Sequence, residues 1–337
     1  MLSYLSIRVY QYIINCVKIK KIMKLKWKML KKFYYLFGFF LLVVLLLKVD
    51  FNYYKELIKQ VSILKFSLIS CLAFPSLFLK AYRWKVLMSV QNIRYSFWDS
   101  FLMYQSSTYI GTFTPGRIGE VWKSFYLKKD HSFGKSLVST FLDRFFDMFF
   151  LICFGLFGIF VFSNLCEKTS LFLTIFLIFL GAGIITVKYF GKGLFRKIFY
   201  FFLPKKYQEK WHLSIEDFFN GMRHYKTRHY LFGFFITGLV WFVFYLSVYL
   251  FSLEIGINQI SFLYFSSALA VGSLISLLPF SILGIGTRDA ALVIMFSHFG
   301  ARKELIIAVS MFVLFLTLIS SVAGFFSLMK KPIIKNE

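Results

Sequence analysis

Acid is what this sequence has least of. Only 15 Asp and Glu stand against 40 Lys and Arg in 337 residues, and charged residues of both signs make up 16% of the chain. A soluble domain carries about 25%, so the deficit argues against a soluble globular protein. Cysteine is also sparse. Cys16, Cys71, Cys153 and Cys166 show no CxxC spacing, which excludes a zinc ribbon or a dithiol motif and leaves them as buried small apolar side chains. The five histidines (His131, His212, His224, His229, His298) lack metal-ligand spacing and read as solvated loop residues. No P-loop, GxSxG, HExxH or glycine-rich dinucleotide motif occurs, so no metal, no cofactor and no catalytic residue is expected, and an enzyme is not the leading reading. Asp130 beside His131 is too little to make a catalytic pair.

What fills the chain instead is apolar: 58% hydrophobic, 22% aromatic, mean hydropathy +0.69. An apolar run of about 20 residues spans a bilayer, and six such runs are found: Phe33 to Lys48, Val61 to Tyr82, Ser136 to Phe162, Leu171 to Tyr189, Tyr230 to Phe251 and Leu305 to Leu328. The expected fold is therefore an all-α polytopic membrane protein. The net charge of +25 would suggest nucleic acid in a soluble chain, but here the basic residues flank apolar blocks, as membrane-surface and topology charges do, and no nucleic-acid partner is expected.

Residues 1–32 hold nine Lys and Arg and no acid. They read as a basic, amphipathic surface segment without a signal-peptide cleavage site, and Met23 offers an alternative start. Lys and Arg retain loops on the cytoplasmic side, which places inside the N-terminal segment, Arg83 to Arg94, Lys123 to Lys135, Lys188 to Arg228 and the tail 329–337. Val49 to Gln60, Asn164 to Thr169 and Ser252 to Asn258 belong outside, with Arg302 and Lys303 the one discordant group. Both termini are then cytoplasmic.

Two further apolar stretches, 97–127 and 259–299, are interrupted by proline and glycine. The threading works only if each returns to the side from which it entered. The chain then divides into residues 33–163 and 170–328, each two spans, a broken re-entrant hairpin and a span, in opposite orientations. Inverted repeats with discontinuous helices are a transporter plan whose breaks mark the binding site. Residues 191–229, inside the second repeat, read as a cytoplasmic linker with an amphipathic helix near Ser214 to Tyr225, whose Glu216 and Asp217 suit its N-terminal end.

The breaks carry the chemistry. In "TFTPGRIGE" Pro115 and Gly116 make the turn, and Arg117, Gly119 and Glu120 open a new helix. In "LLPFSILGIGTRDAAL" the break falls at Pro279, Gly284 and Gly286 follow, and Thr287 is the N-cap of a helix opened by Arg288 and Asp289. A helix N-terminus with an arginine beside it suits an anion such as phosphate. The bland alternative is a hairpin shaped by proline and glycine with a snorkelling arginine. In "STFLDRFFDMFF", Asp143, Arg144 and Asp147 share one side of a span at i, i+3 and i, i+4 spacing. Charges at that depth are costly, so they form a network inside the bundle or a clamp onto the broken hairpin. "KAYRWKVL", from Lys80, reads as an interfacial aromatic and basic belt.

Taken in order, "RWKVL", "TFTPGRIGEVWKSFYL", "FLDRFFDMFFL" and "LLPFSILGIGTRDAAL" resemble the transmembrane region of lysylphosphatidylglycerol synthases and its stand-alone, flippase-like relatives, over about residues 36–328. The resemblance implies movement of an anionic phospholipid between leaflets. Synthase activity is not expected, since the sequence ends at Glu337 without room for the aminoacyltransferase domain. By motif, Arg117, Glu120, Asp143, Arg144, Asp147 and Arg288 take the family's polar positions. Asp143 stands where relatives have a neutral residue or glutamate, and Asp289 where glutamate is expected.

The resulting expectation is an inner-membrane protein that binds and translocates a phosphate-bearing lipid, either an anionic phospholipid or a polyprenyl-phosphate carrier. Arg117, Arg288, Thr287, Gly116 and Gly286 hold the phosphate, while Glu120, Asp143, Arg144, Asp147 and Asp289 form the polar network. The rivals are an accessory subunit presenting lipid to a glycosyltransferase or another glycan or lipid biosynthesis enzyme, and a membrane-embedded transferase.

Overall fold

The computed structural model describes residues 56, 61–127, 131–161, 205–277, 281, 283–297 and 299–330. The expected first and fourth spans, the basic N-terminal segment, the linker before Lys205, Asp130, Pro279, His298, Cys16 and Cys166 lie outside those residues.

The described chain is helical, with no strand among the described residues: α1 Ile63–Leu72, α2 Phe74–Val90, α3 Phe97–Thr112, a 3-10 segment Pro115–Trp122, α4 Lys123–Leu127, α5 Phe133–Val161, α6 Lys205–Met222, α7 Thr227–Glu254, α8 Phe262–Leu277, α9 Thr287–Ser297 and α10 Lys303–Lys330. Three helical stretches, Ile63–Val90, Thr227–Glu254 and Lys303–Lys330, are long and apolar enough to cross a membrane. At 1.5 Å per residue the 29 residues of α5 are also long enough. Large apolar side chains such as Leu231, Phe235, Phe326 and Met329 are exposed. On an integral membrane protein such residues face lipid, where their exposure carries no penalty.

Cys71 and Cys153 are both exposed. The expectation that they are buried is corrected. In a membrane the apolar side of a helix is its outside as often as its inside, so an apolar neighbourhood in sequence does not imply burial.

The expected span from Val61 is not one straight helix. α1 ends at Leu72 and α2 begins at Phe74 with a proline in its first turn. Pro75 has no N–H for the preceding turn, and the Ser76 hydroxyl donates to the Ala73 carbonyl at 2.6 Å. The linker helix also starts earlier than its pattern suggests, at Lys205 rather than near Ser214, so Glu216 and Asp217 lie in its second half rather than at its front. It docks on α5 through the Phe141–Phe218 ring pair and on α2 through Gln91, whose side chain donates to the Gly221 carbonyl at 2.7 Å.

Both interrupted stretches form hairpins. The first starts at a cap in which the Ser96 hydroxyl oxygen accepts from Asp99 N at 3.0 Å, and its 3-10 segment folds back along α3. In the second, α9 packs on α8, with the Tyr264 hydroxyl donating to the Met295 carbonyl at 2.9 Å and Phe265 stacked on Phe296. The long-range packing is reciprocal. The first arm of the first hairpin, α3, lies along α10, and the first arm of the second, α8, lies along α5, while α2 pairs with α7.

The α3–α10 seam is tight. The Ser321 hydroxyl donates to Thr112 Oγ1 at 2.8 Å, and a Cβ at Gly324 would run into the Gln105 backbone carbonyl. Gly324→Val is expected to lower stability by about 1–3 kcal/mol through overpacking, seen as a reduced thermal midpoint in detergent. Gly238→Ala, where nothing lies within 4 Å, is expected to leave the midpoint unchanged or slightly raised. Equal behaviour of the two variants would contradict this packing.

Candidate functional site

The centre of the polar interior is a side chain the sequence pattern assigned to the membrane surface. Arg83, on α2, is completely buried. Its Nε and Nη2 donate to Asp143 Oδ1 at 2.9 and 2.6 Å, and its Nη1 donates to Asp147 Oδ1 at 2.9 Å and to Thr237 Oγ1 at 2.5 Å. The guanidinium fork thereby joins α2, α5 and α7. Trp84 is buried beside it. "KAYRWKVL" is thus not an interfacial belt at Arg83 and Trp84; the helix continues past Tyr82 to Val90 and carries those residues into the protein. Lys123, counted among cytoplasmic loop charges, is also fully buried. Its ammonium donates to the other Asp143 oxygen and rests 4.3 Å from the Tyr104 ring centroid.

Asp143, Arg144 and Asp147 do share a side of α5, and they clamp it to the broken hairpin. Arg144 pairs closely with Glu120 and lies 3.5 Å from Asp147 Oδ2. Its Nη2 also donates to the Tyr104 hydroxyl at 3.3 Å. Arg83, Lys123 and Arg144 therefore meet Glu120, Asp143 and Asp147 in a cluster of equal and opposite charge. Burying an ion costs several kcal/mol unless it is paired and hydrogen-bonded, and this cluster meets that condition.

At the first break the expected new α-helix is replaced by something tighter. Gly116 and Arg117 take left-handed backbone with φ of 61° and 54°, and the chain continues as a 3-10 segment before one short α-turn from Lys123. For Arg117 that conformation is strained, of order 1–3 kcal/mol. The Arg117 side chain is one-third exposed and lies 3.8 Å from Glu120. Thr114 anchors the turn, its Oγ1 accepting from Gly119 N at 2.8 Å while donating to the Gly111 carbonyl at 2.9 Å. Gly119 is needed for close approach, because a Cβ there would sit 2.7 Å from the Ile110 carbonyl oxygen.

The second break uses Leu283, Gly284 and Gly286, all with positive φ. Thr287 is not the N-cap but the first helical residue, its hydroxyl 2.6 Å from that of Ser281. The capping position falls to Gly286, whose N–H donates to Asp289 Oδ2 at 2.8 Å, the return half of a capping box. The Asp289 carboxylate thus occupies the helix terminus expected to receive a phosphate. Arg288 donates from Nε to Ser310 Oγ at 2.8 Å and from Nη2 to the Ser310 carbonyl at 2.9 Å, with Asp289 Oδ1 3.5 Å away. The uncharged Ser310 on α10 is the second hairpin's docking point, as Asp143 and Arg144 on α5 are the first's.

Between these elements is a cavity of about 500 Å³, within the range of ligand sites. Gly116, Arg117, Glu120, Arg144, Asp147 and Arg288 are in its wall. Asp143 and Asp289 stand behind the wall; Gly119, Gly284, Gly286 and Thr287 shape the turns without lining it. The kink of α1 and α2 contributes Ala73, Phe74 and Ser76, and α2 contributes Lys80, 4.9 Å from the Trp241 ring centroid. Leu151, Phe244, Val313 and Leu316 supply apolar wall, and Thr108, Ser276 and Ser320 supply hydroxyls. Lys80, Arg83, Lys123, Tyr104 and Thr237 were not singled out as site residues from sequence. The available signal was that Lys80 and Arg83 are three apart on one helical face.

Arg83→Met leaves Asp143 and Asp147 without their shared partner and is expected to destabilise the protein by about 3–5 kcal/mol, measured by unfolding in detergent. Adding Asp147→Asn is expected to recover part of that loss; an additive double variant would show that the two side chains do not interact.

No curated protein and no solved structure matches the chain. The family model described as Lysylphosphatidylglycerol synthase TM region matches residues 34–324, and the chain belongs to that family.

Proposed function

We propose that this protein binds a phosphate-bearing lipid in the central cavity and moves it between leaflets of the cytoplasmic membrane, with both termini on the cytoplasmic side. The observation that carries the reading is that one cavity takes an arginine from each broken hairpin and has apolar walls beside them. Arg117 and Arg288 face a headgroup, while Leu151, Phe244, Val313 and Leu316 give its chain an apolar path. A phosphate in water has no reason to seek apolar walls, and a neutral lipid has no use for two arginines. A lipid with an anionic phosphate suits both, whether an anionic phospholipid or a polyprenyl phosphate. The reciprocal pairing of α3 with α10 and of α8 with α5 supports an inverted repeat, because a two-fold relation between halves makes their contacts mutual.

The second helix terminus has no part in this proposal, since Asp289 already caps it. The headgroup contacts are assigned to guanidinium groups, the ammonium of Lys80 and wall hydroxyls. The Arg83 cluster holds the frame against which the hairpins are set.

The test is the full chain in vesicles with headgroup-labelled phosphate lipids and a membrane-impermeant quencher. Inner-leaflet label is expected to be quenched faster than in protein-free vesicles. Losing a charged hydrogen-bond donor to the phosphate is worth about tenfold or more, so Arg117→Ala and Arg288→Ala are each expected to slow movement by about that factor. Movement unaffected in both variants would place the anion elsewhere. Binding without movement would assign the protein to lipid presentation for a partner enzyme.

A further inference from the structure

We propose that the headgroup is a phosphate dianion, that is, a lipid phosphate monoester rather than a phosphodiester; this rests on the reading of the cavity as a phosphate-lipid site. The argument is a charge balance made residue by residue. Among the described residues, six cations and four carboxylates surround the cavity or stand directly behind its wall. Arg83, Lys123 and Arg144 are matched by Glu120, Asp143 and Asp147 in the closed cluster on α5. Arg288 is matched by Asp289. Two cations are left over, Lys80 and Arg117.

Their surroundings bear this out. Among the described residues Lys80 makes no ion pair and donates no hydrogen bond; its ammonium lies over the Trp241 ring, a weaker interaction than a carboxylate would give. Arg117 has only the 3.8 Å approach to Glu120, whose carboxylate is already engaged by Arg144. Both line the same cavity, and the carboxylate with the largest electrostatic effect on Lys80, Asp147, is already bonded to Arg83. Two like charges facing one space inside a membrane protein repel each other and attract a counter-charge. A dianion balances them; a phosphodiester monoanion leaves one unbalanced.

Balance also makes the cluster insensitive to the guest. Glu120 and Asp147 in the wall and Asp143 behind it are held by their own cations, so an entering phosphate meets free positive charge instead of displacing carboxylates. The hydroxyls of Thr108, Ser276 and Ser320 are available to phosphate oxygens without adding charge. A monoester offers three such oxygens and, with a second pKa of about 6, is doubly charged at pH 8.

The experiment is isothermal titration of the full-length protein in uncharged detergent at pH 8 with dodecyl phosphate, its methyl diester and inorganic phosphate. Dodecyl phosphate is expected to bind about tenfold or more tightly than the diester, and Lys80→Met is expected to abolish most of that preference while the diester still binds. Equal affinity for monoester and diester would overturn the dianion and leave the phosphate-lipid site standing. Failure of both to bind would remove the phosphate-lipid reading itself. Inorganic phosphate binding as well as dodecyl phosphate would keep the dianion and refute the lipid. A Lys80→Met protein that retains the preference would refute the charge balance; if that variant binds nothing, Arg117→Gln provides the same comparison.

Discussion

A guanidinium group cannot be left unpaired inside a membrane protein, nor can it shed its charge, and Arg83 is enclosed on every side. Its fork geometry dictates where Asp143 and Asp147 must stand and brings Thr237 to the same point, so three helices from distant parts of the sequence are fixed around one side chain. Lys123 then has a place only because Asp143 has a second oxygen to accept from it, and Arg144 only because Glu120 reaches it from the hairpin. The position of the first broken hairpin follows from Arg83 through two successive pairings. Replacing such a network with apolar residues is often no loss of stability; its value lies in allowing one arrangement of the hairpin and penalising displaced ones.

The two hairpins solve the same problem with different polarity. Each has backbone that leaves the helical pattern between apolar helices, and each must satisfy the freed groups internally. The first does so with the Thr114 hydroxyl and a salt-bridged cluster; the second does so with Asp289 capping Gly286 and Ser310 taking both ends of the contact with Arg288. The cavity lies where these two solutions face each other. Its positive character is concentrated on the side of the first hairpin and α2, and its wall towards α10 is more nearly neutral.

Much of this was legible in the sequence. Apolar runs and charge scarcity reveal a helical membrane protein, and proline and glycine inside long apolar stretches reveal both breaks. Arg117, Glu120, Arg144, Asp147 and Arg288 were found because charges in apolar surroundings are conspicuous. Arg83, Lys80 and Lys123 were not, because each sits next to the end of an apolar run, where a buried cation and a snorkelling one look the same in one dimension. Thr287 was misplaced by one residue since a threonine before an Arg–Asp pair is a good N-cap by composition; it is the carboxylate three residues after Gly286 that decides the terminus. The 3-10 form of the first break was invisible for a related reason: nothing in "PGRIGE" says that the arginine as well as the glycine turns left-handed. The exposure of Cys71 and Cys153 was missed because hydropathy does not separate lipid from core.

The pairing of α3 with α10 has a bearing on how the chain is made. The Thr112 and Ser321 hydroxyls that meet in this seam are 209 residues apart, and α10 is the last of the described helices to leave the ribosome. Until it arrives, the face of α3 that carries Gln105 and Thr112 has no permanent cover. The first hairpin must therefore wait at the membrane with a polar side unsheltered, held meanwhile by local hydroxyl-to-carbonyl bonds such as Thr112 to Thr108. Those internal bonds let a half-made protein tolerate lipid on a surface that the finished one never shows to it.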